Sequence, residues 1–124
     1  MPAITVTWGE LFDRIAGLEL DLEGLVDPDA RAAVEAELDP LREMARTGAP
    51  GAVHAVASEL KDVVRVLRNL EITIAACERD GNFGPDFVGW ARSARAQSER
   101  RLDLERSIDK LMESGASAQE GRDD

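Results

Sequence analysis

The sequence predicts an all-α fold, a four-helix arrangement built on a long antiparallel coiled-coil hairpin with a shorter helical hairpin before it. Three observations predict it. Apolar residues recur at alternating steps of three and four along four segments. Capping signatures separate those segments. The apolar seams of the last two segments are mirror images about position 82.

Thr7 opens the first helix as an N-cap: its hydroxyl can accept from the free N–H groups of the first turn, and Glu10 has the spacing of a capping box. Val6 and Leu11 have the spacing of a hydrophobic staple. Trp8, Leu11, Ile15, Leu18, Leu22 and Leu25 then follow heptad a/d spacing, predicting a helix over 8–26. Asp27-Pro28 repeats the cap, with proline at the first helical position where its missing N–H costs nothing. Val34, Leu38, Leu41 and Ala45 carry a helix over 28–46, which Pro40 is expected to kink or divide. Thr47 to Gly51 reads as the linker.

Val53, Val56, Leu60, Val63, Leu67, Leu70, Ile74 and Cys77 keep a/d spacing without a break and predict a helix over 52–79. Gly81 can take the left-handed conformation that ends it. Gly84 and Pro85 start the fourth helix, over 85–113, where Phe83 has staple spacing to Val88 and the seam reads Phe87, Trp90, Ala94, Gln97, Arg101, Leu104, Ile108 and Leu111. Folding back about position 82 sets Cys77 against Phe87, Ile74 against Trp90, Leu67 against Gln97, Val63 against Arg101, and Val53 against Leu111. An antiparallel coiled coil requires that register. Residues 1–113 are expected to form one domain, and the small polar run 114–124 a disordered tail.

With 25 acidic against 15 basic residues the formal charge is −10. That opposes association with nucleic acid or an anionic membrane, both of which favour basic surfaces. The deficit lies in the front half: residues 1–50 carry 11 acids and 4 bases, whereas 85–113 carry 6 of each. A single cysteine cannot form an intrachain disulfide, no apolar run reaches the roughly 18 residues of a membrane span, and no secretory leader is evident. A cytoplasmic protein without a cofactor is expected. The preference for arginine over lysine, 13 to 2, suggests a GC-rich bacterial source.

Gln97 and Arg101 are polar where the seam asks for apolar residues, and Arg92, Arg95 and Arg100 make this the most basic stretch of the chain. A buried guanidinium must be paired. One reading is an anion pocket for a phosphate or a partner's carboxylate. The other, favoured by the register-setting role of single polar seam residues, is an ion pair between Arg101 and a carboxylate of helix 1.

Glu10 with Asp13, and Glu59 with Asp62, both read ExxD, the spacing a helical metal-dependent nucleotide hydrolase would use. Their heptad phase, f for Asp13 and c for Glu10 and Asp62, directs them to water instead. His54 has no acid or cysteine at ligand spacing and reads as a surface residue. Cys77 falls in the seam, and no serine has a histidine base nearby in sequence.

WGELFDRI near the start, and ACERDGNFGPDFVGWARS followed by ERR near the end, resemble a family of small uncharacterised bacterial helical proteins. The family pattern has a GEL-x-D-Lys opening and a late Phe-x-x-Leu-Ala-Arg-Ser segment followed by Asn-Asp-Arg-Arg. Arg14 stands where that family has Lys, Arg95 where it tends to have Tyr, and Ser98-Glu99 where it has Asn-Asp; its acidic C-terminal segment is absent. The resemblance implies a helical fold and singles out Glu10, Asp13, Arg14, Arg92 and Arg100 as matched or nearly matched polar positions, which favours a polar cluster between helices 1 and 4.

The expected function is a non-catalytic interaction or accessory module with a protein partner or a second copy. Leu20 and Ile72, at f positions facing away from their seams, and Trp90 are the candidate interface. A homodimer through helices 1 and 3 follows from them. The rivals are a metal-dependent helical hydrolase and an anion-responsive regulator using the helix 4 arginines.

Overall fold

The computed structural model describes the backbone of residues 7–122 and the side chains of residues 7–114. Four helices follow in order: α1 Trp8–Gly24, α2 Pro28–Gly48, α3 Gly51–Asp80 and α4 Pro85–Arg122, with no strand among the described residues. Helices α3 and α4 form the hairpin that the mirrored seams predict. Thr7 caps α1, its Oγ1 accepting from the Glu10 N–H at 3.1 Å, and Asp27 caps α2, accepting from the Ala30 N–H at 3.0 Å. Gly81 takes φ 68° and ψ 22° after α3. The Asn82 N–H then returns to the Cys77 carbonyl at 2.8 Å, which turns the chain into α4 within four residues.

Some boundaries differ from the sequence expectation. Helix α2 passes through Pro40 as one helix. Pro40 and Ala36, whose carbonyl loses its donor, are both exposed, so water can satisfy that carbonyl. The expected linker shrinks to Ala49 and Pro50. The backbone of α4 continues as helix to Arg122, past the predicted end at 113; the side chains beyond Ser114, residues 123–124 and the Val6 staple lie outside the described residues. Phe83 meets Phe87 edge-on at 5.1 Å, whereas Val88, its expected staple partner, is exposed.

The register of α1 explains the rest. Phe12 with His54, Glu19 with Lys61, and Glu23 with Arg65 are each 42 positions apart, so α1 runs parallel to α3. It runs antiparallel to α4, with Gly9 beside Asp109 and Asp13 beside Arg101, and antiparallel to α2, with Trp8 over Gly48 and Glu19 beside Arg42. Helix α2 rests on α1: no described Cα of α2 comes within 8 Å of α3 or α4. Thus α1 is the middle layer, with α2 on one side and the hairpin on the other.

That placement corrects the expectation for Leu20, which is buried at 8% exposure. A heptad f position faces solvent only when a helix has one partner. Gly9, Asp13 and Gly17 contact the hairpin, and Leu20 falls on the same stripe at three- and four-residue steps. Asp13, also at f, is drawn inward for the same reason. Leu20 therefore belongs to the core with Phe12, Ile15, Leu38, Leu60 and Ile108.

Candidate functional site

Gly9 sets how closely α1 meets α4. A Cβ at this position would stand 2.5 Å from the Glu105 carbonyl oxygen, too near for any side chain, so glycine is required by the approach of the two backbones. Its N–H, one of the free donors of the first helical turn, is accepted by Asp109 Oδ1 at 2.9 Å. At the other end of α1, Arg31 donates from one Nη1 to the carbonyls of Leu22 at 2.6 Å and Leu25 at 2.8 Å. Both ends of α1 thus find their charge complement on neighbouring helices, an acid at the positive end and a guanidinium at the negative end.

One turn along from Gly9, Asp13 takes a two-point grip from Arg101: Nε donates to Oδ1 at 3.0 Å and Nη2 to Oδ2 at 2.6 Å. The Asp13 side chain is 19% exposed and that of Arg101 36%. The hydrogen bond to Asp13 holds the Arg101 proton more firmly than usual, against a smaller opposing effect of burial. Glu105 lies beside them on α4. Burial, then the Asp13 charge, raises its carboxyl to about 7; Arg101 opposes the rise, and a hydrogen bond with Asp13 and the charge of Glu10 add to it. Near neutral pH, Glu105 therefore keeps part of its proton where an exposed carboxyl would have lost it. The cluster borders a cleft of about 300 Å³ lined by Glu10, Asp13, Arg14, Asp21, Arg68 and Arg101, among others.

Of the remaining sequence-selected arginines only Arg14 also lines this cleft, and every one with a partner among the described residues is taken up by a carboxylate. Arg100 pairs with Glu59 of α3 at 3.3 Å, Arg95 with Glu99 of its own helix at 3.5 Å, and Arg14 with Glu37 of α2. Arg92 is exposed on α4, and Gln97 is half-buried in the hairpin seam. Arg101 spends two donors on Asp13. An anion pocket needs guanidinium donors left over.

The four carboxylates of the metal alternative do not gather as a set: Glu10 and Asp13 line the cleft, with Asp13 held by Arg101, whereas Glu59 pairs with Arg100 and Asp62 with Arg65. Among the described residues no group of three or more metal-ligating side chains forms. Glu10 does lie near the cleft, as its effect on Glu105 shows.

Of the interface candidates, Ile72 is 66% exposed and Trp90 42%. Both lie in the turn-side half of the hairpin. No residue from 71 to 103 is buried, although this half carries Ile72, Ile74, Phe83, Phe87, Val88 and Trp90. In the register above, Gly24 at the end of α1 stands level with Val66, so the last 14 residues of α3 run on past α1 for about 20 Å. The hairpin projects from the body as two helices.

Sequence reasoning missed Gly9, Glu105 and Asp109, and the Arg68 link from α3 to the Gly17 carbonyl at 3.0 Å and to Asp21 at 2.8 Å. One signal was present. A glycine at the second position of a strongly patterned helix is costly unless something needs the space. No described helix is long and apolar enough to cross a membrane. Compared with protein-family models, curated proteins and solved structures, the chain matches none.

Proposed function

We propose that this protein is an interaction module that self-associates through the projecting half of the α3–α4 hairpin. The observation that carries the reading is the combination of complete non-burial from 71 to 103 with exposed Ile72, Phe83, Val88 and Trp90 in that stretch. Clustered exposed apolar side chains mark interaction surfaces on a folded chain.

Charge favours a second copy as the occupant. On the α3 face that continues the α1-contacting stripe beyond Arg68, Glu71 and Arg79 lie four positions either side of exposed Ala75. Neither stands within ion-pair distance of an opposite charge among the described residues, though Glu71 is near enough to Arg101 to help hold its proton. Two α3 helices crossing antiparallel at Ala75 would set Glu71 of each copy against Arg79 of the other, and the small side chain at the crossing would admit a close approach. The earlier interface through helices 1 and 3 thus narrows to the hairpin, since Leu20 is buried.

Light scattering across a concentration series tests the reading. A dimer is expected, shifted toward monomer by Ile72→Lys and by Glu71→Arg, and restored when Glu71→Arg is combined with Arg79→Glu. A monomer at high micromolar concentration overturns it.

A further inference from the structure

A second concavity lies away from the hairpin tip. Helices α2 and α3 leave their two-residue connection in extended backbone, Ala49 at φ −112° and ψ 133° and Pro50 at φ −72° and ψ 165°, and diverge at once. Helix α1 is the shared wall. The result is a cleft of about 380 Å³ among the three helices, in the size range of small-molecule sites.

Its inner surface is apolar, made by Phe12, Ile15 and Ala16 of α1, Ala45 of α2 and Ala57 of α3. Three alanines at facing positions keep the space open; close-packed interiors fill such volume with larger side chains. Its polar lining is cationic in a chain of charge −10: Arg42, Arg46 and Lys61 stand with the only histidine, His54, and Glu19 is the one acid among the lining residues. His54 meets Phe12 edge-on at 5.5 Å.

The cations are already arranged for a carboxylate. Arg42 on α2 donates to Glu19 Oε2 from Nη2 at 2.7 Å and from Nε at 3.2 Å, while Lys61 Nζ on α3 stands 3.5 Å from Oε1 of the same group. Arg46 is held by Glu43 outside the lining. Glu19 therefore draws two cations from separate helices to one anion position beside an apolar cavity.

We infer that this cleft binds a small amphipathic monoanion, its aromatic or aliphatic body among Phe12, Ala16, Ala45 and Ala57 and its carboxylate between Arg42 and Lys61, in competition with Glu19. Charge-assisted bonds from Arg42 and Lys61 hold the head, and water leaving the alanine-lined cavity favours the body. His54 and Phe12 supply an aromatic wall. This site is independent of self-association through the hairpin.

Calorimetric titration of the full chain with naphthoate, compared with neutral naphthylmethanol, tests it. One naphthoate per chain is expected, with naphthylmethanol weaker by roughly tenfold. Glu19→Gln removes the competitor that Arg42 and Lys61 share, leaving Glu23 at 3.8 Å from Lys61, and should tighten naphthoate several-fold while leaving naphthylmethanol unchanged. Ala57→Leu, at a half-buried position, should fill the cavity and abolish binding with the helical circular dichroism intact. Failure of the wild-type chain to bind naphthoate overturns the inference, as does equal binding of the neutral analogue. Unchanged or weaker binding in folded Glu19→Gln overturns it as well.

Discussion

Arg101 holds Asp13 by two hydrogen bonds, 3.0 Å from Nε to Oδ1 and 2.6 Å from Nη2 to Oδ2, joining positions 88 apart in the chain. The one charged residue of the α4 seam is thereby matched to an acid of α1. Removing either member leaves a half-buried charge without its partner. Arg101→Met and Asp13→Leu are each expected to cost about 2 kcal/mol in urea unfolding. The double variant should cost less than the sum, because no charge is stranded. Additive losses would mean that the pair is not coupled.

Gly9→Ala should destabilise despite the better helix propensity of alanine. Its Cβ would fall 2.5 Å from backbone oxygen, which cannot rotate away, so α1 and α4 must separate. A loss of about 2 kcal/mol is expected. Gly89→Ala, inside α4 with nothing within 4 Å of the added carbon, should instead stabilise by about 0.5–1 kcal/mol. The opposite signs of the two changes, read by thermal unfolding, separate close approach from propensity.

Glu105 makes stability depend on pH. Its folded carboxyl titrates at about 7, above the ordinary value of 4.5, so between those values the folded state holds a proton that the unfolded state has released. Stability from this group is therefore lost as pH rises from about 4.5 to about 7 and is level above that. Glu105→Gln keeps an N–H donor toward Asp13 at every pH. After discounting for solvent screening, it should stabilise by about 1 kcal/mol at pH 8 and make no such gain at pH 4. An equal effect at both pH values would exclude a raised Glu105 carboxyl.

Helix α2 should open before the hairpin does. Only the backbone of α1 approaches it closely, and Leu38, at 0% exposure, is its most deeply buried anchor. Leu38→Ala is expected to cost about 3 kcal/mol. Amide exchange should rise first in 28–48, with the central protection of α3 changing less. Equal loss of protection in α2 and α3 would show that the two open as one unit.

The separation between what was legible and what was not follows from these residues. Thr7, Asp27 and Gly81 act within one turn of their own helix, and the mirrored seams of α3 and α4 are joined by a four-residue turn, so local spacing carries their information. Arg101 was visible as a break in the pattern, and an ion pair with helix 1 was one of its two readings. The identity of Asp13 as the partner was not visible, because heptad phase assigns a solvent side by assuming one neighbour. The same assumption sent Leu20 outward. Glu105, Asp109 and Arg68 look like ordinary surface charges in one dimension.

By itself, then, the sequence determined four helices, their caps and the antiparallel hairpin, since periodic apolar burial and short connections act over a few residues at a time. Only tertiary structure decided that α1 lies between α2 and the hairpin. That single placement turns the f stripe of α1 inward, buries Leu20, brings Asp13 to Arg101 and leaves the far half of the hairpin bare. The physical reason is that the second face a helix buries depends on which elements approach it from elsewhere in the chain, and a one-dimensional pattern does not encode that approach.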